Sequence, residues 1–161
     1  MSKVQAIPQG YHTLTPSLIV RGASEAIEFY KRAFGAEQRG VLRAPDGKVM
    51  HAELQIGDSI VMLSDEFPQD KCASPAALQG TTGALLIYTE DVDALWARAT
   101  AAGCKPLMPL SDMFWGDRYG KLLDPFGHAW EMATHKEELT PEQMHERFEA
   151  MLKRFPGQSA E

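Results

Sequence analysis

Met113-Phe-Trp-Gly-Asp-Arg-Tyr-Gly-Lys-Leu-Leu-Asp-Pro-Phe-Gly-His-Ala-Trp-Glu-Met-Ala-Thr-His135 is the stretch on which the reading of this chain turns. Asp124, Pro125 and Gly127 occupy the first, second and fourth positions of a type I turn, where Pro fixes φ and Gly relieves the exit. Extended runs flank the turn, Arg118–Leu123 before it and His128–Thr134 after it, so the stretch reads as a β-hairpin. A hairpin does not need the load this one carries: Trp115, Asp117, Arg118, Tyr119, His128, Trp130, Glu131 and His135. Gly116 and Gly120 open the backbone among those side chains, as close approach of a ligand would require. The stretch is therefore expected to form half of a ligand-binding concavity.

Upstream of the hairpin the same order of elements is read twice. In the first half, Thr13–Val20 is a strand and Ser24–Phe34 a helix, with Ser24 as its capping candidate. Ala26, Ile27, Tyr30, Ala33 and Phe34 form the helix stripe, and Gly35 stands where a helix end favours a left-handed residue. Three strands follow, about 38–44, 48–56 and 59–64, separated by Pro45-Asp46-Gly47 and Gly57-Asp58. In the middle strand Met50, Ala52, Leu54 and Ile56 alternate with His51, Glu53 and Gln55, giving one apolar and one polar face.

Residues 66–83 read as a loop-like joint. Ala84–Thr89 is then a strand. Asp91 caps a helix striped by Val92, Leu95, Ala99 and Ala102 and ended by Gly103; Pro106 and Pro109 break the chain, and three strands run to Thr134. Gly35 and Gly103 lie 68 residues apart (103 − 35 = 68), and at that offset Leu18 matches Leu86 and Ile27 matches Leu95. The fold expected is α+β: one domain over 1–161, with a βαβββ unit at about 11–65, a linker at 66–83, a second unit at 84–135 and a C-terminal helix at 140–155. The two sheets are expected to curve into a half-open barrel with the helices outside.

The tail is legible on its own. Thr140-Pro-Glu-Gln143 is a capping box with Pro in the first helical position. Met144, Phe148, Met151, Leu152 and Phe155 follow at helical spacing, and Pro156-Gly157 stops the run. That stripe is expected to bury itself on its own domain or on a partner chain.

Composition excludes several classes. The chain has 161 residues, 22 acidic against 16 basic, and a net charge of −6, with no basic run to follow a phosphate backbone, so no nucleic-acid partner is expected. No apolar run approaches the roughly 20 residues of a membrane span, and none is expected. The opening residues lack the apolar core of a signal peptide, and Cys72 and Cys104 are too few for a disulfide framework. A cytoplasmic protein is the expectation.

Several segments resemble a known family. The paired βαβββ units, Ala26-Ile-Glu-Phe-Tyr30 and Asp124-Pro-Phe-Gly-His128 are similar to the vicinal-oxygen-chelate superfamily, which includes glyoxalase I, extradiol dioxygenases and the fosfomycin- and bleomycin-resistance proteins. Gly57-Asp-Ser-Ile-Val-Met-Leu-Ser-Asp65 and Met113–Gly120 resemble its PhnB-like branch, and the likeness covers about residues 11–135. The resemblance implies a homodimer in which units pair between chains. It also implies four metal-ligand places, which fall here on Thr15, Met62, Ala84 and Glu131. Only Glu131 is a plausible donor, so no metal site and no cofactor are assigned. A replacement site joining His51 with Glu131 or His135 would need a contact that the sequence does not establish.

The expected role is a small-molecule binding protein of the glyoxalase/bleomycin-resistance type, sequestering a toxic or antibiotic compound. Its ligand-binding candidates are Trp115, Arg118, Glu131, His51, Tyr88 and His135, and no catalytic residue is assigned. Arg118 either forks onto an anionic ligand group or pairs with Asp117 or Asp124; Trp115 is either a stacking wall or core. Glu131, inside an apolar bowl, must carry a raised pKa or meet a donor. The alternatives are a lyase or dioxygenase of the superfamily with a displaced metal, and a dimerisation module.

Overall fold

The computed structural model describes residues 4–69 and 71–154. The first unit runs β1 (Ser17–Val20), α1 (Ala23–Phe34), β2 (Glu37–Arg43), β3 (Val49–Ile56) and β4 (Ser59–Asp65). A short helix, α2 (Pro75–Leu78), interrupts the joint. The second unit runs β5 (Ala84–Tyr88), α3 (Val92–Ala102), β6 (Lys105–Asp112), β7 (Asp117–Leu123) and β8 (Ala129–His135), and α4 (Pro141–Arg154) follows. The strand orders are β1-β4-β3-β2 and β5-β8-β7-β6, with β1 parallel to β4 and β5 parallel to β8. The fold is α+β, built from two βαβββ units whose sheets stay separate, so no barrel closes among the described residues.

Each helix is tied to the end of its own sheet. Asp65, at the end of β4, accepts the N–H groups of Gly22 and Ala23 at 3.0 and 2.9 Å. Gly22 is the capping residue of α1, with φ 82°, and makes no side-chain cap of its own. Ser24, expected in that role, lies inside the helix and accepts from Arg43 at 2.7 Å instead. In the second unit Thr134 accepts the N–H of Val92 at 3.0 Å, while Asp91 caps Ala94 at 2.9 Å as its sequence position foretold. Gly35 ends α1 with φ 68°. Within the joint, Ser74 accepts from Ala77 and Pro75 takes the first helical place of α2.

The internal repeat holds, with one adjustment. Leu18 is 8% exposed, whereas Leu86, its partner at an offset of 68, is 43% exposed. On β5 the residues packed on the core are Leu85 and Ile87. The strands therefore match one residue earlier than the helix-ending glycines, and in a strand one residue exchanges the two faces.

One core serves both units. α1 and α3 lie against each other, and Arg98 Nε donates to the Ala33 carbonyl at 3.0 Å. Phe29, Tyr30 and Phe34 of α1 meet Phe126 and Trp130 of the second unit, the Phe34 and Trp130 rings 4.4 Å apart. At the centre sits Asp124, 4% exposed. Its carboxylate accepts from the Tyr30 hydroxyl at 2.7 Å, Trp130 Nε1 at 2.8 Å, and the amides of Phe126 and His128 at 2.8 and 2.9 Å. Burial and the adjacent carboxylate push the Tyr30 hydroxyl well above its usual pKa.

Pro106 and Pro109 lie within β6, tolerated because β6 is an edge strand. Thr140 and Gln143 form the expected capping box on α4. The apolar stripe of α4 does not bury itself: none of its described residues is buried, and Phe148 and Leu152 are 40% and 49% exposed. The helix is held by Phe148 against Phe114, 5.5 Å between rings, and by Arg147 to Glu137 at 2.6 Å. Phe155, Pro156 and Gly157 lie outside the described residues. No helix among the described residues is long and apolar enough to cross a membrane.

Candidate functional site

Alternation along three strands gives the second sheet two different faces. Leu122, Trp130 and Met132 point into the shared core. The opposite side chains, Leu86 and Tyr88 on β5, Glu131, Ala133 and His135 on β8, and Asp117, Tyr119 and Lys121 on β7, form a face that no helix among the described residues covers. Strand register sets Leu86 beside Glu131, Glu131 beside Lys121, Ala133 between Tyr88 and Tyr119, and His135 beside Asp117.

Two polar groups of contacts organise this face. Lys121 Nζ lies 2.9 Å from Glu131, and the Tyr119 hydroxyl stands beside the same carboxylate. Burial, then the neighbouring Glu131 carboxylate, pushes the Tyr119 hydroxyl up to about 12. Beside it, Asp117 is 5% exposed and gathers three partners. Tyr88 OH donates at 2.8 Å, Trp115 Nε1 donates at 3.1 Å, and His135 Nδ1 lies 2.7 Å away. The bond to Asp117, with Glu138 on the far ring nitrogen at 3.3 Å, raises the pKa of His135; the same carboxylate raises that of Tyr88. The Trp115 ring meets Tyr119 edge-on at 5.5 Å. Trp115, Tyr119 and Tyr88 thus form an aromatic patch whose neighbouring charges are paired.

The structure gathers Trp115, Glu131, Tyr88 and His135 on this face. Glu131 meets a donor, Lys121, as a carboxylate in such a bowl must. Arg118 is turned to the other side of β7. Its guanidinium binds Asp93 of α3 in a bidentate pair at 2.7 and 2.7 Å and reaches Asp112 at 3.4 Å; Asp117 and Asp124 are not its partners. His51 belongs to the first sheet and lies 3.2 Å from Glu53. The two glycines are approached by the chain itself. A Cβ on Gly116 would stand 2.5 Å from the Glu137 carbonyl oxygen, and one on Gly120 would stand 2.5 Å from the Trp96 ring. Asp117, Tyr119 and Lys121 were not among the site candidates. Counting outward from the 124–127 turn pairs Asp117 with His135 and Lys121 with Glu131, and that is the signal that would have found them.

The places that the family resemblance assigns to metal ligands do not fit a divalent ion. Met62 stands beside Ser17, Ala84 beside Ala129, and Glu131 is held by Lys121. A threonine hydroxyl, a thioether, a methyl group and one paired carboxylate are a poor donor set. Among the described residues no three His, Cys, Asp or Glu side chains gather so as to hold a metal.

Comparison with known proteins places this architecture. The Glyoxalase/Bleomycin resistance protein/Dioxygenase superfamily matches residues 11–132. The chain is 44% identical over 122 residues to the uncharacterised protein Mb0911c of Mycobacterium bovis, covering 74% of this chain and 80% of that one. Among solved structures it is similar to TioX from Micromonospora sp. ML1, with 31% identity, a TM-score of 0.61, and coverage of 77% of this chain and 98% of TioX. TnmS3, an antibiotic binding protein from Streptomyces sp. CB03234, shares the fold at 24% identity and a TM-score of 0.60, covering 83% of this chain and 100% of that one. Two βαβββ units, a shared core and a family match across most of both units lead to one assignment: the chain belongs to the glyoxalase/bleomycin resistance protein/dioxygenase superfamily.

Proposed function

We propose that this protein binds a small planar organic molecule on the open face of its second sheet, without a metal, and sequesters it. The observation that carries the reading is the patch of Trp115, Tyr119 and Tyr88 with its charges internally paired, Glu131 to Lys121 and Asp117 to His135. Such a face offers stacking area and no free counter-charge, which favours an uncharged aromatic ligand over an ion. The donor set at Thr15, Met62, Ala84 and Glu131 supports metal-free binding. TnmS3 is by its name an antibiotic binding protein on the same fold, and a toxic or antibiotic compound is the ligand class adopted for this chain.

A second copy of the chain completes the bowl in this reading. Leu42, Met50, Leu86 and Tyr88 are 66%, 58%, 43% and 59% exposed, more apolar surface on sheet strands than a lone molecule favours. Two free thiols, Cys72 and Cys104, suit a reducing cytoplasm.

The test is tryptophan fluorescence quenching across a small-molecule library, followed by titration of Trp115→Ala with each hit. The expected loss is about 1–3 kcal/mol of binding free energy, with the fold intact. A hit that binds the variant as tightly as the parent moves the site elsewhere. On the same preparation, sedimentation should show a dimer and elemental analysis no stoichiometric metal. One equivalent of Ni, Zn, Fe or Mn that disappears in Glu131→Ala would restore the displaced-metal enzyme.

A further inference from the structure

The apolar stripe of α4 is left open among the described residues. The domain holds this helix from one side, where Met144, Arg147 and Met151 are half-buried. The side turned outward carries Phe148 and Leu152, 40% and 49% exposed, one helical turn apart. Beside that line run Glu142, His145, Glu149 and Lys153, all exposed and spaced by three, four and four residues. An apolar seam flanked by one row of charges is the pattern with which one helix packs on another.

The row is complementary to itself when read backwards. Glu142 opens it, Lys153 closes it, and His145 and Glu149 stand between, 3.3 Å apart. Set antiparallel to a copy of itself about Phe148, the row brings Glu142 to the partner's Lys153 and His145 to the partner's Glu149. Along the seam, Met144 meets the partner's Leu152, and the two Phe148 rings meet each other. A parallel pair would instead oppose Glu142 to Glu142, Glu149 to Glu149 and Lys153 to Lys153, each like on like. The place of the helix matters as well. Met108, Ser111 and Asp112 of β6 line the groove beneath it, and β6 and β5 are opposite edges of the second sheet. A contact at α4 therefore stands apart from the β5 side, where Leu86 and Tyr88 lie.

We propose that α4 is a self-pairing surface, on which two copies of the chain pack helix on helix, antiparallel, across a two-fold axis at Phe148. Such a contact is isologous and closes after two copies. It joins chains, or pairs of chains already joined at the β5 side, and it requires neither that joining nor a ligand at Trp115. Two helices of 14 residues touch over about 21 Å, too short to bury the roughly 1,200–2,000 Å² of a stable interface, so the pairing is weak and follows protein concentration.

The test is sedimentation equilibrium of the full chain from micromolar to millimolar concentration. A reversible doubling of mass is expected, above whatever species the dilute end holds. Glu142→Lys alone and Lys153→Glu alone each set like charges opposite one another and are expected to weaken the doubling at least tenfold. An equimolar mixture of those two variants is expected to recover it, because each supplies the charge that the other lacks, and neither misfolding nor fraying of a variant would produce that recovery. Leu152→Glu should abolish the doubling, and Trp115→Ala should leave it unchanged. A parent whose mass does not change with concentration overturns the proposal, as does a loss that mixing fails to recover or an undiminished doubling in Leu152→Glu. Doubling that appears only after residues 155–161 are removed overturns it too, and gives the stripe to the end of the same chain.

Discussion

The turns Ala44–Lys48 and Met113–Asp117 hold equivalent places in the two units and have the same backbone. In the first, Ala44 N donates to Lys48 O at 2.8 Å and Gly47 N to Ala44 O at 2.9 Å. In the second, Met113 N donates to Asp117 O at 2.8 Å and Gly116 N to Met113 O at 3.1 Å. The glycines have φ of 89° and 97°. The first turn stands in solvent, with open space around Gly47. The second carries Trp115 and Asp117, and Gly116 O accepts from Lys136 and Glu137 at 2.9 and 3.1 Å. The turn at Asp124–His128 repeats the same pattern a third time, with Gly127 at 90°. Glycine at the fourth place is what the reversal needs. The other places are free to stay bare, to carry a site, or to anchor a core.

The strongest way to break this comparison is to remove the aspartate from each kind of turn. Asp124→Ala strands the buried Tyr30 hydroxyl and Trp130 N–H and should cost about 3–5 kcal/mol in urea unfolding. Asp46, exposed and bonded only to the Lys48 amide at 3.1 Å, should cost about 0.5 kcal/mol. Equal midpoints would show that the Asp124 turn is no more an anchor than the bare one. The glycines come next. Gly47→Ala meets only the strain of positive φ, about 1 kcal/mol, whereas Gly116→Ala also collides with Glu137 and should lose about 2–3 kcal/mol. Matching losses would mean that residues 136–137 give way freely.

The smallest effect is a pH dependence confined to the loaded turn. Asp117 and Glu138 favour protonated His135 in the folded chain, so its pKa is raised. The stabilisation is fully present below the unfolded value of about 6.5 and fades as pH rises through the higher folded value. The melting-temperature gap between the parent and His135→Gln should therefore narrow with increasing pH. A gap that widens would reverse the sign assigned to this pair.

What could be read from the sequence was whatever is local. The α1 stripe, the Gly35 and Gly103 helix ends, the Asp91 cap, the Thr140–Gln143 box and the Asp124 turn depend on residues within a few places of one another, and each stands where it was expected. The misread features depend on a distant partner. Asp65 displaces Ser24 as the cap from 42 residues away, and Asp93 claims Arg118 from 25 away. Gly116 and Gly120 do mark close approaches, but the approaching groups are Glu137 and Trp96 and not a ligand. The helix α2 is the exception: Ser74-Pro75 is a local start signal, but its neighbours lack the periodicity that marks a longer helix. The site was half legible, since Glu131 and Trp115 announce themselves by type, while Asp117 gains its partners only through strand register.

The links from Asp65 to α1 and from Thr134 to α3 have a consequence for the order in which the molecule can assemble. A chain leaving the ribosome at about 5–20 residues per second makes Gly22 some 2–9 s before the Asp65 that caps it, across a separation of 43 residues. Tyr30 waits longer, because Asp124 is 94 residues downstream. During that interval the first unit can close its own sheet and helix, yet Phe29, Tyr30 and Phe34 have no Phe126 or Trp130 to meet. The nascent first half is thus a finished circuit with an aromatic face still exposed, and it is guarded only when the second half arrives.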